Sequence, residues 1–282
     1  MQSQLQARLS QALQGVDGWL YLNEAWALHE TVRTLPSPDV PATVVEIGSW
    51  KGRSTIALAL GLMARGGGSL FAVDPHTGPP TGNTDDWNGA TVTDGATVSE
   101  ADFRRNITAA GVASVVRPLV TTSHEARSQF ANSSVDFLFI DGNHEYDAVR
   151  TDILDWRTAL KDGAIIAFND LYAPGVSRAL KELVIHPGSD YRNPVLIQNT
   201  LFAQLRPDTR WRGADSLALM RLRFAFGLRF VANPLRRYMP DWFVRAAQLL
   251  STVLVGRHGL TSDRSGAQTV IDQGISTTKS DR

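Results

Sequence analysis

The run Val44-Val45-Glu46-Ile47-Gly48-Ser49-Trp50-Lys51-Gly52-Arg53-Ser54-Thr55 constrains the fold more than any other stretch of this chain. A short apolar segment ends at a glycine, a second glycine follows four residues on, and a helix-compatible segment begins directly after it. A glycine behind a buried strand lets the backbone turn sharply, and the second lets the next helix start close against a ligand. The N–H groups at such a helix start favour an anionic or carboxylate-bearing ligand. The spacing is Gly-x-x-x-Gly, not Gly-x-Gly-x-x-Gly, and no Gly-Lys-Ser/Thr is present. That argues against dinucleotide and P-loop sites, which cradle pyrophosphate. A small zwitterionic nucleoside fits better; the competing reading is a tight strand-to-helix turn that holds no ligand.

Around this turn the hydrophobic rhythm alternates between strands and helices, the pattern of a parallel α/β sheet. Strands are predicted over 43–48, 69–73, 115–120, 135–140 and 164–168, with helices over 54–64, 101–110, 123–130, 149–160 and 175–184. Residues 195–198 and 200–205 read as an antiparallel pair that finishes the sheet. Residues 1–35 read as helical, with Leu5, Leu9, Ala12, Leu13 and Val16 on one face. Pro36, Pro38 and Pro41 then mark a boundary. This gives an N-terminal helical segment over 1–38 and an α/β domain over 39–206. A basic extension over 207–258 is predicted to be mainly helical, although Met220 to Phe230 also alternates at period two, and a disordered tail covers 259–282.

The chain has 282 residues and no cysteine, which removes disulfides, thiolate metal sites and cysteine nucleophiles from consideration. The N-terminus lacks the apolar core of a signal peptide, and no stretch approaches the ~18 apolar residues of a membrane span, so cytoplasmic residence is the expectation. The net charge of zero hides an asymmetry. Residues 1–205 hold 15 Lys/Arg against 22 Asp/Glu, whereas residues 206–264 hold 11 Arg against 4 Asp. The basic segment therefore faces a different partner or has a different job.

Three further motifs carry chemistry. Leu70 to Pro75 ends a strand at Asp74, placed to accept hydrogen bonds from ribose hydroxyls; with the glycine turn it makes a nucleoside site. S-adenosylmethionine is a ligand of that kind. Val135 to Tyr146 delivers Asp141 to the carboxyl end of a central strand, where ligands of open α/β sheets bind. His144, three residues later, is a candidate general base for a hydroxyl, or else a structural histidine at the next helix start. Gly163 to Asp170 brings Asn169 and Asp170 to the same edge. Asp141, Asn169 and Asp170 together offer three oxygen ligands of the kind that suits Mg²⁺. The loop 76–100, with His76, Asp85, Asp86 and Trp87, is long enough to act as a lid.

These motifs, in this order, with Asp152, Trp156 and Leu160-Lys161-Asp162-Gly163 downstream, resemble the class I S-adenosylmethionine-dependent methyltransferases. The likeness spans about residues 40–205. It is nearest the branch of macrolide-sugar O-methyltransferases and cephalosporin-hydroxylase-like proteins, and more distant from catechol and caffeoyl-CoA O-methyltransferases. The resemblance implies a Rossmann-like, mostly parallel seven-stranded sheet with helices on both faces. It implies that Glu46, Gly48, Ser49, Gly52 and Ser54 surround the methionine part of the cofactor, that Asp74 holds the ribose, and that Ser123 lies near the adenine. Asp141 would be a metal ligand and His144 the base. Metal-using relatives carry Asp-Asn, Glu-Asp or His-Asp at the last pair, where this chain has Asn169-Asp170, an amide being the weaker ligand.

The function expected from this resemblance is O-methylation of a hydroxyl on a sugar or natural-product acceptor, with His144 as base and Mg²⁺ as an aid. Two other readings compete. One is a cofactor-binding accessory or hydroxylase-like protein of a biosynthetic or glycan-modifying cluster. The other is a peripheral membrane protein acting on a lipid-linked substrate. It would use the arginines and aromatics of 217–255, among them Arg221, Arg223, Phe224, Phe226, Arg229, Arg236, Arg237 and Trp242. Against it stands a helical cap or a homo-oligomer interface. Nucleic acid is not an expected partner, since the basic segment lacks a known binding motif.

Overall fold

Seven strands supply nearly half of the buried apolar residues among those described. They are β1 (Ala42–Ile47), β2 (Gly68–Val73), β3 (Val116–Leu119), β4 (Val135–Ile140), β5 (Leu160–Phe168), β6 (Tyr191–Ile197) and β7 (Thr200–Leu205). In this computed structural model, which describes residues 2–78, 98–171 and 173–207, they form one sheet in the order β3-β2-β1-β4-β5-β7-β6. The expected seven-stranded, mostly parallel, Rossmann-like sheet is therefore present. The described residues divide into two compact units, one of residues up to 131 with 141–143, the other of 132–140 and 144 onward.

In the first unit β1, β2 and β3 pair in parallel. Leu70, Val44 and Val45 are fully buried, the continuous apolar signature of a strand covered on both faces. Helix α1 (Gln2–Ala12) and α2 (Leu22–Arg33) precede β1, so the first 35 residues are two helices with a connection between them. Helix α3 (Arg53–Arg65) follows the glycine turn and buries Ile56, Leu58 and Leu62. It packs so closely on α2 that a Cβ at Gly61 would lie 2.5 Å from the His29 carbonyl oxygen. The proline boundary after α2 is organised by Arg65, whose guanidinium donates to the carbonyls of Pro36, Ser37, Pro38 and Val40 at 2.5–3.3 Å. Helices α4 (Val98–Ala109) and α5 (Ser123–Arg127) complete the unit. Helix α5 is shorter than the predicted 123–130, because its cap uses Thr122 and Glu125 and its chain leaves the helix at Ser128.

In the second unit β4 and β5 pair in parallel, and β7 and β6 follow antiparallel, as predicted for 200–205 and 195–198. Helix α6 (Tyr146–Arg157) begins a turn earlier than the predicted 149–160, and Leu160 belongs to β5. The early start follows from Glu145, which takes an extended N-cap conformation directly after the loop. At the other end Gly163 sits at φ 81 inside β5, and the strand reaches back through Lys161-Asp162-Gly163, ahead of the predicted 164–168. Helix α7 (Pro174–Leu183) carries Pro174 at its first turn, a favoured position for proline. Among the described residues, no helix is long and apolar enough to cross a membrane. The lid residues Asp85, Asp86 and Trp87, the basic extension from 208 and the predicted disordered tail all lie outside the described residues.

Candidate active site

The glycine turn after β1 is built by three residues at positive φ, Gly48 at 88°, Trp50 at 40° and Gly52 at 88°. Gly48 donates its N–H to the Val73 carbonyl at 2.9 Å, which ties the end of β1 to the end of β2. A Cβ on Gly48 would lie 2.2 Å from the Asp141 carbonyl oxygen. Its glycine is thus demanded by backbone against backbone as well as by φ. At Gly52 a Cβ would meet Phe103 of α4 at 3.1 Å and Ile107 at 3.4 Å. The side of Gly52 that a side chain would occupy is filled by helix packing.

Glu46 is fully buried at the end of β1, and the Thr55 hydroxyl donates to its Oε2 at 2.5 Å. Burial pushes its carboxyl up to about 7, and the Asp74 charge adds to the shift. The Ser54 and Thr55 hydroxyls pull the other way. Ser54 is itself buried. Glu46 Oε1 and Ser49 Oγ are both buried without a hydrogen bond of normal geometry among the described residues. Two orphaned polar atoms in one turn are what a zwitterionic amino-acid ligand would satisfy, so these residues fit the methionine part of S-adenosylmethionine.

Asp74, at the end of β2, accepts from the Trp50 N–H through Oδ2 and from the His76 N–H through Oδ1, both at 2.7 Å. Each carboxylate oxygen keeps a second lone pair for a ribose hydroxyl. His76 is buried, and its Nδ1 meets Ser99 Oγ at 3.0 Å, so the two described ends of the 76–100 loop touch. Burial holds the His76 imidazole below its usual range, with Asp74 opposing. Ser123 opens α5, half-buried, on the turn after β3.

In the second unit His144 Nε2 lies 3.1 Å from Asp170 Oδ2. The Asn199 amide donates to the other oxygen of Asp170 at 2.6 Å. Asp170 takes φ 54, a left-handed conformation uncommon outside glycine and the Asx residues. The His144 backbone is packed against the start of α7, where a Cβ on Gly175 would lie 2.2 Å from the His144 carbonyl oxygen. Asp141 follows the last residue of β4, half-buried, and donates its N–H to Ile47 at 2.9 Å.

Asn169 does not fit its predicted part as a metal ligand. Its side-chain oxygen accepts from the Thr200 hydroxyl at 2.8 Å, and the residue is only 5% exposed. The amide is spent on holding β5 to β7. Sequence reasoning missed Thr200, Asn199 and Gly175, which stand 31, 29 and 31 residues from the groups they hold. The one local signal was the Asn199-Thr200 step at the hairpin turn.

Residues 45–171 match the model of a family described as a methyltransferase domain. The match runs from β1 to just past β5, somewhat under half of the chain, and over it the chain is similar to a methyltransferase domain. Among solved structures, it is similar to the O-methyltransferase TomG from Streptomyces achromogenes, involved in tomaymycin synthesis and solved with its S-adenosylmethionine. The identity is 18%, the match covers 71% of this chain and 89% of that one, and the TM-score is 0.50. It is also similar to the O-methyltransferase NovP, at 15% identity over 66% of this chain and 80% of that one, with a TM-score of 0.50. At these identities the likeness is one of fold. No curated protein matches the sequence.

Proposed function

We propose that this chain is a class I, S-adenosylmethionine-dependent methyltransferase that methylates a hydroxyl oxygen of a small-molecule acceptor, a sugar or natural product, with His144 as general base oriented by Asp170. The observation that carries the reading is the His144–Asp170 pair at 3.1 Å, with Asp170 itself held by Asn199 at 2.6 Å. The O-methyltransferase activity named for TomG and NovP supports the choice of oxygen as acceptor atom.

Glu46, Gly48, Ser49, Gly52, Ser54, Asp74 and Ser123 are the residues that would hold the cofactor. When bound, S-adenosylmethionine supplies an electrophilic methyl group on a sulfonium. Asp170, accepting from Nε2–H of His144, fixes the tautomer that leaves the basic lone pair on Nδ1. Nδ1 then takes the acceptor hydroxyl's proton, and the oxygen gains nucleophilicity as that O–H bond breaks. Asp141, at the carboxyl end of β4, contributes an acceptor contact. Asn169 is bonded to Thr200, which takes one of the three ligands out of the predicted Mg²⁺ shell of Asp141, Asn169 and Asp170. No step here passes through a metal.

Turnover of candidate hydroxylated acceptors, followed by mass spectrometry of products, tests the reading. His144→Ala is expected to lower turnover by ~10²–10⁴-fold while S-adenosylhomocysteine still binds. A chelator is expected to leave wild-type turnover unchanged. Full activity of the alanine variant, or loss of activity on chelation with recovery on Mg²⁺, would overturn it.

A further inference from the structure

The residues between the two glycines of the cofactor turn are Ser49, Trp50 and Lys51, and Arg53 follows. A turn of this kind asks for no particular side chain at Trp50, Lys51 or Arg53. In the first unit all three reach to the same place, the connection between α1 and α2. The Arg53 guanidinium donates to the carbonyls of Leu13 at 3.1 Å, Val16 at 2.7 Å and Leu20 at 3.0 Å. Lys51 Nζ pairs with Asp17 at 2.8 Å, and its backbone carbonyl accepts from Asn106 at 2.9 Å. The Trp50 ring stacks on Trp19 with centroids 4.9 Å apart and planes 21° from parallel. The fit leaves no slack at Gly18, where a Cβ would lie 2.8 Å from Arg53 Cδ.

Trp50 is the residue that needs such support. It sits at φ 40, a region costly for a bulky side chain, and such a conformation persists only where its surroundings over-determine it. From that position its N–H donates to Asp74 Oδ2 at 2.7 Å, so the strained residue also aims the ribose carboxylate. We infer that residues 13–21 form a clamp on the cofactor turn. The clamp holds Trp50 in its left-handed conformation and makes Trp19 and Arg53 positioning residues for the cofactor. The inference rests on the assignment of Asp74 and the glycine turn to the cofactor.

The test is calorimetric binding of S-adenosylhomocysteine to the full chain, with melting temperatures taken with and without it. Trp19 is 54% exposed, so Trp19→Ala removes the stack without opening a core. It is expected to weaken binding roughly tenfold and to shrink the ligand-induced rise in melting temperature, with Trp19→Phe restoring both. Arg53→Met, which keeps the stem and loses the donors, should weaken binding at least as much. Trp50→Gly removes both the stack and the strain, so Trp19→Ala added to it should have no further effect. Equal binding by wild type and Trp19→Ala would overturn the clamp and leave the cofactor assignment standing. An equal fall in both melting points, with the ligand-induced rise intact, would reduce Trp19 to a structural role and overturn it too. If the wild-type chain binds neither S-adenosylhomocysteine nor S-adenosylmethionine, the cofactor assignment falls and the clamp with it.

Discussion

Glu46 offers a sharp test of the cofactor half of the site, because its environment sets both a sign and a size. It is fully buried, and its carboxyl is pushed from the ordinary 4.5 to about 7. An acid whose pKa is raised in the folded state favours folding while protonated and loses that advantage as pH rises. The stabilisation is therefore complete below pH 4.5, declines between about 4.5 and 7, and is gone above. Moving a carboxyl that far corresponds to about 3 kcal/mol, at 1.36 kcal/mol per pH unit. Glu46→Gln keeps an oxygen for the Thr55 hydroxyl and removes the charge. The measurement is urea unfolding of both proteins at several values from pH 5 to pH 8. The variant should gain on the wild type as pH rises, the difference approaching about 3 kcal/mol at pH 8. Burial holds His76 low, so it loses stability toward acid in the same window, but it contributes equally to both proteins and cancels in the difference. Glu30, held down to about 2 by the His29 and Arg33 contacts that outweigh its burial, acts only below pH 4.5. A difference flat to within about 0.5 kcal/mol across the range would refute the reasoning.

Three further outcomes follow from particular contacts. Gly48→Ala puts a methyl 2.2 Å from the Asp141 carbonyl oxygen at φ 88, so it should unfold the protein or cost several kcal/mol, read by thermal melting. Thr200→Val leaves the Asn169 oxygen buried and unbonded, and should cost about 1–3 kcal/mol in the same assay. Asp170→Asn removes the carboxylate that orients His144. It should lower turnover by about tenfold or more, while S-adenosylhomocysteine affinity holds.

How much of this was legible in the sequence depends on how far apart the cooperating residues lie. The strand Val135–Ile140 matches its prediction to the residue, because its apolar run, broken only by Asp136, is bounded by polar turns on both sides. The glycine turn was legible as a turn, yet the use of Gly52 was not. Only the packed fold brings Phe103 and Ile107 to it from fifty residues away. Helix α6 starts ahead of its first apolar repeat, since an extended Glu145 sets the start and hydrophobic periodicity does not. Asn169 was read as a ligand because it stands beside Asp170 at a strand end. That it is bonded to Thr200 depends on the strand order, in which β7 returns beside β5.

That return has a consequence for timing. The first unit, with the glycine turn and Asp74, is written almost entirely in residues up to 131. Asp170 and Asn169, by contrast, receive their partners from Asn199 and Thr200, at the head of the last strand described. Chains emerge from the ribosome N-terminus first, and their early parts fold as they appear. The half proposed to grip the cofactor is therefore synthesised before the half proposed to deprotonate the acceptor can be locked. A nascent chain halted before Thr200 would hold the methyl donor's residues while lacking the brace for its base.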